Sequence, residues 1–273
     1  MHRTTSRTLS IAVAATFAAG LAATSASAAP VSGDVPTFQE FAATTYQDEG
    51  GVYVVNGDEP EGSMGGLRQF YDSMVAGPRH VDEDSLIVNR VNGQDDKWSA
   101  TQAVNLTYCV STKFGSDYTR VVQAMAAGVG QWEAASSKVN YTHLSQYDSS
   151  CTTRNSSVVF SVEPTKTQQY IARAFFPSTS KSSRNILVNA TSLYNSGSWT
   201  PSNIMAHELG HTLGFRHEHT RPEAGTCFED NNWRALTPYD SASIMHYPQC
   251  NGTSDDLSMT DQDRAGVRAL YGA

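Results

Sequence analysis

Positive charge is scarce in this sequence, and so are repeats and long apolar runs. Its 273 residues include 19 Lys and Arg against 27 Asp and Glu, which gives a formal net charge of −8. This balance argues against a protein that binds the phosphates of nucleic acids. The chain has no internal repeat, which excludes a repeat array. Beyond the N-terminus, no stretch is apolar enough to cross a bilayer.

The single long apolar run lies at the N-terminus. Arg3 and Arg7 precede an uncharged apolar stretch at residues 11–22, and the small residues 26–28 form a cleavage site. This arrangement is typical of a secretory signal peptide and is too short for a membrane span. A membrane anchor is the alternative, but nothing that follows would stop transfer. We therefore expect residues 1–28 to be a signal peptide and the protein to be secreted and extracellular.

Cysteine is also rare, with four in the chain. None of them are spaced as in CxxC motifs, which argues against a cysteine-bound zinc ion. An even number in an exported protein predicts two disulfides. Four cysteines allow three pairings, and the sequence does not decide between them. We favour the local pairing, Cys109 with Cys151 and Cys227 with Cys250.

The chain changes character near residue 97. Residues 29–97 contain no cysteine, many acidic residues and glycine-rich breaks, and a predicted strand at residues 52–55 ends in the turn signal Asn56-Gly57. We interpret residues 29–97 as a pro-segment, with a small independent N-terminal domain as the alternative. From residue 98 predicted strands alternate with helices. The predicted strands are 103–109, 158–162, 171–176 and 185–188.

Four histidines lie within residues 207–219, HELGHTLGFRHEH. On a helix, residues four apart share one face, so His207 and His211 can bind the same metal ion. Glu208 then lies beside the ion, where a carboxylate can take a proton from a metal-bound water. Taken alone, this pattern could also be a pair of surface histidines on a helix.

A third histidine strengthens the prediction. Gly214 can adopt the left-handed conformation that ends the helix and turns the chain, which brings His217 to the same ion. His219 would face the other way if its segment were extended. Three nitrogen ligands leave a fourth position for water, as in catalytic zinc sites. The sequence therefore predicts one catalytic Zn²⁺ bound by His207, His211 and His217, with Glu208 as general base.

The pattern HExxHxxGxxH followed by a methionine turn resembles that of the metzincin metallopeptidases. Residues 243–247, SIMHY, are similar to the astacin version of this turn. The resemblance implies that Met245 forms the hydrophobic floor below the ion. It also implies that the hydroxyl of Tyr247 is a loose fifth ligand that stabilises the transition state. Glu218 matches the glutamate that contacts the new N-terminus in activated astacins.

Within this group, the HELGH form and residues 247–252 resemble the bacterial dual-action HEIGH metallopeptidases. The cysteines do not obviously reproduce the disulfide pattern of animal astacins. The resemblance covers residues 98–273 and implies an α+β, zincin-like catalytic domain. Its upper subdomain (98–214) would hold a twisted, mostly parallel sheet and two long helices above the cleft. Its small lower subdomain (215–273) would carry the methionine turn.

The resemblance also implies how substrate and pro-segment bind. Metzincins hold an extended peptide against an edge strand, and residues 171–176 resemble it. A buried core strand is the alternative. The expected substrate-binding residues are Ala172, Arg173, Ala174 and Phe175. In astacin pro-segments the aspartate of a Gly-Asp pair blocks the zinc ion. Asp58, after Gly57, resembles that aspartate, although such a pair is also a common turn.

These expectations describe a secreted zinc endopeptidase. It would act on protein or peptide substrates as a monomer, without nucleic acid and, after signal removal, without a membrane. One alternative is a zinc-stabilised extracellular binding module that has lost catalysis, and the presence of Glu208 argues against it. Another is an exopeptidase or a narrow-specificity processing peptidase.

Overall fold

The computed structural model describes residues 35–48, 50–78 and 86–273. The predicted signal peptide and residues 29–34, 49 and 79–85 of the predicted pro-segment lie outside these ranges. Across the described ranges, none of the helices combines the length and apolar character that crossing a membrane requires. The helices are α1 Phe38–Thr44, α2 Met64–Val75, α3 Ala100–Ala103, α4 Tyr118–Ala135, α5 Ala190–Leu193, α6 Pro201–Thr212 and α7 Asp261–Tyr271.

The strands of the described residues form three sheets. The strands are β1 Tyr46–Gln47, β2 Tyr53–Val55, β3 Glu59–Glu61, β4 Ile87–Val91, β5 Gln94–Asp95, β6 Leu106–Val110, β7 Tyr141–His143, β8 Phe160–Pro164, β9 Ala172–Arg173, β10 Asn185–Val188 and β11 Trp233–Ala235. The central sheet has the order β7-β6-β8-β10-β9. All its pairs are parallel except β9 with β10. The predicted mostly parallel sheet is therefore confirmed.

The edge strand β9 is shorter than the predicted strand at residues 171–176. Only Ala172 and Arg173 pair with β10, opposite Val188 and Leu187. The chain then leaves the sheet, because Phe175 turns into the core and its ring packs 5.4 Å from that of Phe160.

The helices α4 and α6 pack closely against each other. A Cβ on Gly128 of α4 would lie 2.8 Å from the backbone nitrogen of Ala206 in α6. The Trp132 indole donates a hydrogen bond to the Ala206 carbonyl, 2.8 Å away, deep in the core. This contact, together with the shared core, fixes the position of α6 above the sheet.

The N-terminal part is built around its own small apolar cluster. Val55, Leu67 and Phe70 form the buried centre of this cluster, and α1 and α2 pack on it beside the antiparallel sheet β1-β2-β3. The turn between β2 and β3 contains Asn56-Gly57-Asp58 and points toward α6.

Residues 86–97 pack with the C-terminal part of the chain rather than with this cluster. Leu86 and Val88 belong to the main core. Strand β4 pairs with β11, and Val88 bridges to Phe215. The backbone N–H of Asn89 also donates to the Gly214 carbonyl at 2.7 Å. The sequence pattern grouped these residues with the pro-segment, but their contacts are with the segment that follows α6.

The disulfides match the prediction, and the C-terminal helix has a defined start and end. Helix α7 starts with a reciprocal capping box between Thr260 and Asp263 and ends at Gly272. Both preferred disulfides form, which confirms the local pairing. They are Cys109–Cys151 and Cys227–Cys250.

Candidate metal centre

Helix α6 supplies two of the predicted ligands, and both of its ends are well defined. Thr200 caps the start through its hydroxyl, which accepts from the Asn203 N–H, and Pro201 occupies the first turn. At the other end Gly214 has a φ of +97°. A Cβ there would lie 2.1 Å from the Asp96 carbonyl oxygen. Glycine is therefore required where the chain turns back.

The turn brings His217 to His207 and His211. All three rings are buried, and the Nε2 atoms of His207 and His217 are 3.2 Å apart. Each Nδ1 has a hydrogen-bond partner on the far side of its ring, which directs Nε2 to the common point. These Nδ1 partners are Ile244 O at 2.7 Å, Phe215 O at 2.9 Å and Glu229 Oε1 at 2.7 Å, respectively.

The donor set fits a transition-metal ion such as zinc. The ligand atoms of His207, His211, His217 and Asp58 lie within 4.8 Å of one another. Zinc–nitrogen bonds of about 2.0–2.1 Å place two nitrogens of one ion about 3.3 Å apart, close to the observed separation. The buried Nε2 of His211 has no hydrogen-bond partner among the described residues. Imidazole nitrogens and a carboxylate together are ligands that zinc accepts.

Asp58 reaches the cluster from the turn between β2 and β3. Gly57 enters this turn with a φ of +97°. The Asp58 carboxylate is buried and faces all three imidazoles. Burial alone would raise the pKa of Asp58, but the facing His217 and His211 hold it well below its usual range. The Nε2 atoms of the three histidines lie close to the Asp58 carboxylate oxygens, at 3.2 Å for His207, 3.5 Å for His211 and 3.1 Å for His217.

Glu208 lies beside the cluster, buried within α6. Its Oε2 atom has no hydrogen-bond partner in the described part of the chain. Burial and the nearby negative charge of Asp58 raise the pKa of Glu208 well above its usual value. A carboxylate in this position has a free oxygen to accept a proton next to the histidines.

Tyr247 and Met245 both pack against the elements of the site. The Tyr247 ring stacks on that of His207, with centroids 5.4 Å apart, and its hydroxyl donates a hydrogen bond to Asp58. Met245 is fully buried under α6. A Cβ on Gly210 would lie 2.5 Å from the Met245 sulfur, so the thioether rests against the helix backbone.

His219 does not face the opposite way, and that part of the prediction was wrong. Residues Glu218–Thr220 form a short 3-10 turn instead of an extended segment. The His219 ring therefore stacks on His217, with centroids 4.7 Å apart. Its Nε2 lies 3.1 Å from Glu229 Oε1, and its Nδ1 accepts the Tyr247 backbone N–H. His219 supports its neighbours and lies outside the group that Asp58 faces.

Glu218 directly follows His217 and is fully buried. Its Oε1 atom accepts the Asp240 backbone N–H at 3.2 Å. The Arg221 guanidinium lies 3.8 Å from the same oxygen. Burial raises the pKa of Glu218 well above its usual value, although Arg221 acts in the other direction.

The predicted substrate-binding residues are all buried. Ala172 and Arg173 lie in the edge strand β9, and Ala174 and Phe175 follow it. The Arg173 guanidinium contacts Asp48 of the N-terminal part, with Nε 3.0 Å and Nη2 2.5 Å from Oδ2. The N-terminal part therefore touches both the histidine cluster and the predicted substrate strand.

A buried charge cluster beside His217 was missed by the sequence analysis. Arg216 contacts Glu59 at 2.9 Å, Glu229 at 3.2 Å and Asp230 at 2.6 Å. No spacing rule links these acidic residues to the histidine motif. The available signal was Arg216 itself, because a charged residue inside a buried motif requires acidic partners.

Comparisons with known proteins place these features in a family. A family model described as dual-action HEIGH metallo-peptidase matches residues 80–233, more than half of the chain. The matched range contains His207, Glu208, His211 and His217.

Curated relatives match shorter stretches. Tolloid-like protein 1 of Homo sapiens is 34% identical over 91 residues, covering 25% of this chain and 9% of that protein. Astacin-like metalloprotease toxin 2 of Loxosceles intermedia is 35% identical over 75 residues, 21% of this chain and 29% of the toxin. High choriolytic enzyme 2 of Oryzias latipes is 37% identical over 70 residues, 19% of this chain and 25% of that enzyme. The chain thus spans less than a third of the length of these relatives.

One solved structure is similar over a larger share of the chain. It is high choriolytic enzyme 1, a hatching enzyme zinc-protease from Oryzias latipes, with 19% identity and a TM-score of 0.41. The match covers 65% of this chain and 95% of that one. The sequence matches confirm the expected relationship to astacin-like metallopeptidases.

Proposed function

We propose, since this chain belongs to the dual-action HEIGH metallo-peptidase family, that it is a secreted zinc endopeptidase held latent by its N-terminal part. The observation that carries the proposal is the convergence of three buried imidazoles beside Glu208. Two disulfides fit an oxidising, extracytoplasmic compartment.

The residues around the cluster suggest how a peptide bond would be cleaved. His207, His211 and His217 would hold a zinc ion, which when bound would supply Lewis acidity for a water molecule and for the scissile carbonyl. Glu208 would accept the proton of that water and pass it to the leaving amine. Its buried position and unpaired oxygen support this role. Tyr247 would donate a hydrogen bond to the developing oxyanion once its hydroxyl is released from Asp58.

Latency would come from Asp58 and its surroundings. Its carboxylate occupies the space between the imidazoles and binds the Tyr247 hydroxyl, so water and substrate are both excluded. Leu86 and Val88 lie in the main core, and Val88 bridges to Phe215. The removable segment would therefore end before residue 86, earlier than the sequence pattern alone suggested.

Substrate would bind as an extended peptide along β9. This edge strand carries Ala172 and Arg173 and has one paired neighbour, β10. Main-chain pairing along such an edge gives affinity without strict sequence requirements, which favours protein or peptide substrates. A binding module without catalysis remains the competing function. The free Glu208 carboxylate beside three convergent imidazoles favours the enzyme.

The test compares purified, segment-free protein with two inactivated forms. The wild-type protein should cleave casein, and activity should disappear in Glu208→Gln and after chelation, then return in the chelated sample with zinc. Glu223→Gln makes the same chemical change at a side chain that contacts Arg221, away from the histidines, and should stay active. A folded, zinc-loaded wild-type protein that cleaves neither casein nor a peptide library would overturn the proposal in favour of a binding module.

A further inference from the structure

Glu229 lies behind the third histidine and contacts the ring atom that faces away from the cluster. His217 Nδ1 donates a hydrogen bond to Glu229 Oε1 at 2.7 Å. Both side chains are buried, with 0% of the His217 residue and 3% of the Glu229 residue exposed. His207 and His211 differ, because their Nδ1 atoms bond to backbone carbonyls. His217 is therefore the one ligand of the three whose orientation depends on an ionisable side chain.

A carboxylate at this position has two consequences for the ring. The Nδ1–H bond fixes the imidazole tautomer, so that the lone pair is on Nε2, facing the cluster. The negative charge also makes the ring a stronger electron donor to a metal ion. A backbone carbonyl provides the first effect but not the full charge.

Glu229 is itself held in place from several directions. Its Oε2 accepts a hydrogen bond from Arg216 Nη2 at 3.2 Å, and its Oε1 also accepts one from His219 Nε2 at 3.1 Å. The Glu229 backbone N–H donates to the Thr220 hydroxyl at 3.0 Å. These contacts hold the carboxylate in one position behind His217.

We propose that Glu229 is a positioning residue for the metal site: it fixes the tautomer and orientation of His217 and so raises the affinity of the site for zinc. The inference rests on the proposed function, because it assumes that the three histidines bind zinc. Glu229 does not touch the substrate or the reacting atoms. Its effect on the metal site passes through the hydrogen bond with His217 Nδ1.

The test measures zinc binding by the full chain, with a chromogenic chelator as competitor. Glu229→Gln keeps the size of the side chain and an oxygen that accepts a hydrogen bond, but removes the charge. Its zinc dissociation constant should be about 10–100-fold higher than that of the wild-type chain. Glu223→Gln is the matched control, since Glu223 lies in the same loop region and pairs with Arg221. The control should bind zinc as the wild type does.

A spectroscopic readout separates positioning from a merely structural role. In cobalt-substituted protein, the visible ligand-field bands should shift in Glu229→Gln and stay unchanged in Glu223→Gln. Unchanged bands together with wild-type zinc affinity would overturn the inference. If Glu229→Gln does not fold, proton–nitrogen NMR of the zinc-loaded wild-type chain decides. A proton on His217 Nδ1 supports the inference, and its absence overturns it. A wild-type chain that binds no zinc would overturn the proposed function as well.

Discussion

Replacing Asp58 with asparagine should activate the uncut precursor. The Asp58 carboxylate faces three imidazoles at 3.1–3.5 Å and accepts the Tyr247 hydroxyl. Asparagine has nearly the same size but no charge, so the substitution removes the electrostatic attraction and leaves the turn intact. The N-terminal part should then leave the site more often without any cleavage.

The size of the effect follows from the bonds that are lost. A hydrogen bond to a charged group contributes about 1.5–3 kcal/mol. Since about 1.4 kcal/mol corresponds to a factor of ten, losing one such bond increases the open fraction about 10- to 150-fold. The buried pairs Asp48–Arg173 and Glu59–Arg216 stay in place and keep the segment docked. Asp58→Asn should therefore give partial activity, below that of the segment-free protein.

The assay follows cleavage of a quenched fluorescent peptide by the full-length precursor, with mass spectrometry to confirm that the chain stays intact. Asp72→Asn is the control, because Asp72 lies in the same N-terminal part with its side chain 53% exposed and pairs with Arg68. It should remain as latent as the wild type. An Asp58→Asn precursor that is no more active than Asp72→Asn would refute the role assigned to Asp58.

Three further changes test other parts of the structure. In the segment-free protein, Tyr247→Phe should lower kcat about 10²–10³-fold with little change in KM, as expected for one lost oxyanion donor; steady-state kinetics with equal kcat would contradict this. Gly128→Ala should lower the Tm, because its Cβ would meet the backbone of α6 at 2.8 Å. The overpacking costs about 1–3 kcal/mol, which exceeds the gain in helix propensity from replacing glycine with alanine. A Cβ on Gly130 would have open space around it, so Gly130→Ala should raise the Tm. Asp48→Asn should speed limited proteolysis of the N-terminal part by removing the charge that pairs with Arg173; an unchanged rate would count against this anchor.

Local spacing explains why the histidine cluster could be predicted from the sequence. His207 and His211 share a helix face by geometry, and the glycine at position 214 adopts the left-handed conformation that the turn requires. The capping residues Thr260 and Asp263 similarly define the start of α7. In each case the residues that interact are within about ten positions of one another, where helix and turn rules apply directly.

The contacts that sequence rules could not predict join distant segments. Asp48 and Arg173 are 125 positions apart, and Glu59 and Arg216 are 157 apart. Their pairing depends on how the N-terminal part docks, which no local periodicity encodes. The turn at Glu218–Thr220 was missed for a different reason. It replaces an extended segment because the His219 ring is stabilised by Glu229 and the Tyr247 backbone.

The two buried arginines that hold the N-terminal part would respond differently to its removal. Arg216 would lose Glu59 but keep Glu229 and Asp230, so its charge stays compensated and Glu229 stays in place behind His217. Arg173 would lose Asp48, the acidic partner of its Nε and Nη2 atoms, and keep neutral oxygen acceptors on Nη1. A buried cation without an acidic partner is costly. Release of the segment would therefore leave Arg216 and Glu229 paired behind His217 and place the new unpaired charge on β9, the proposed substrate strand.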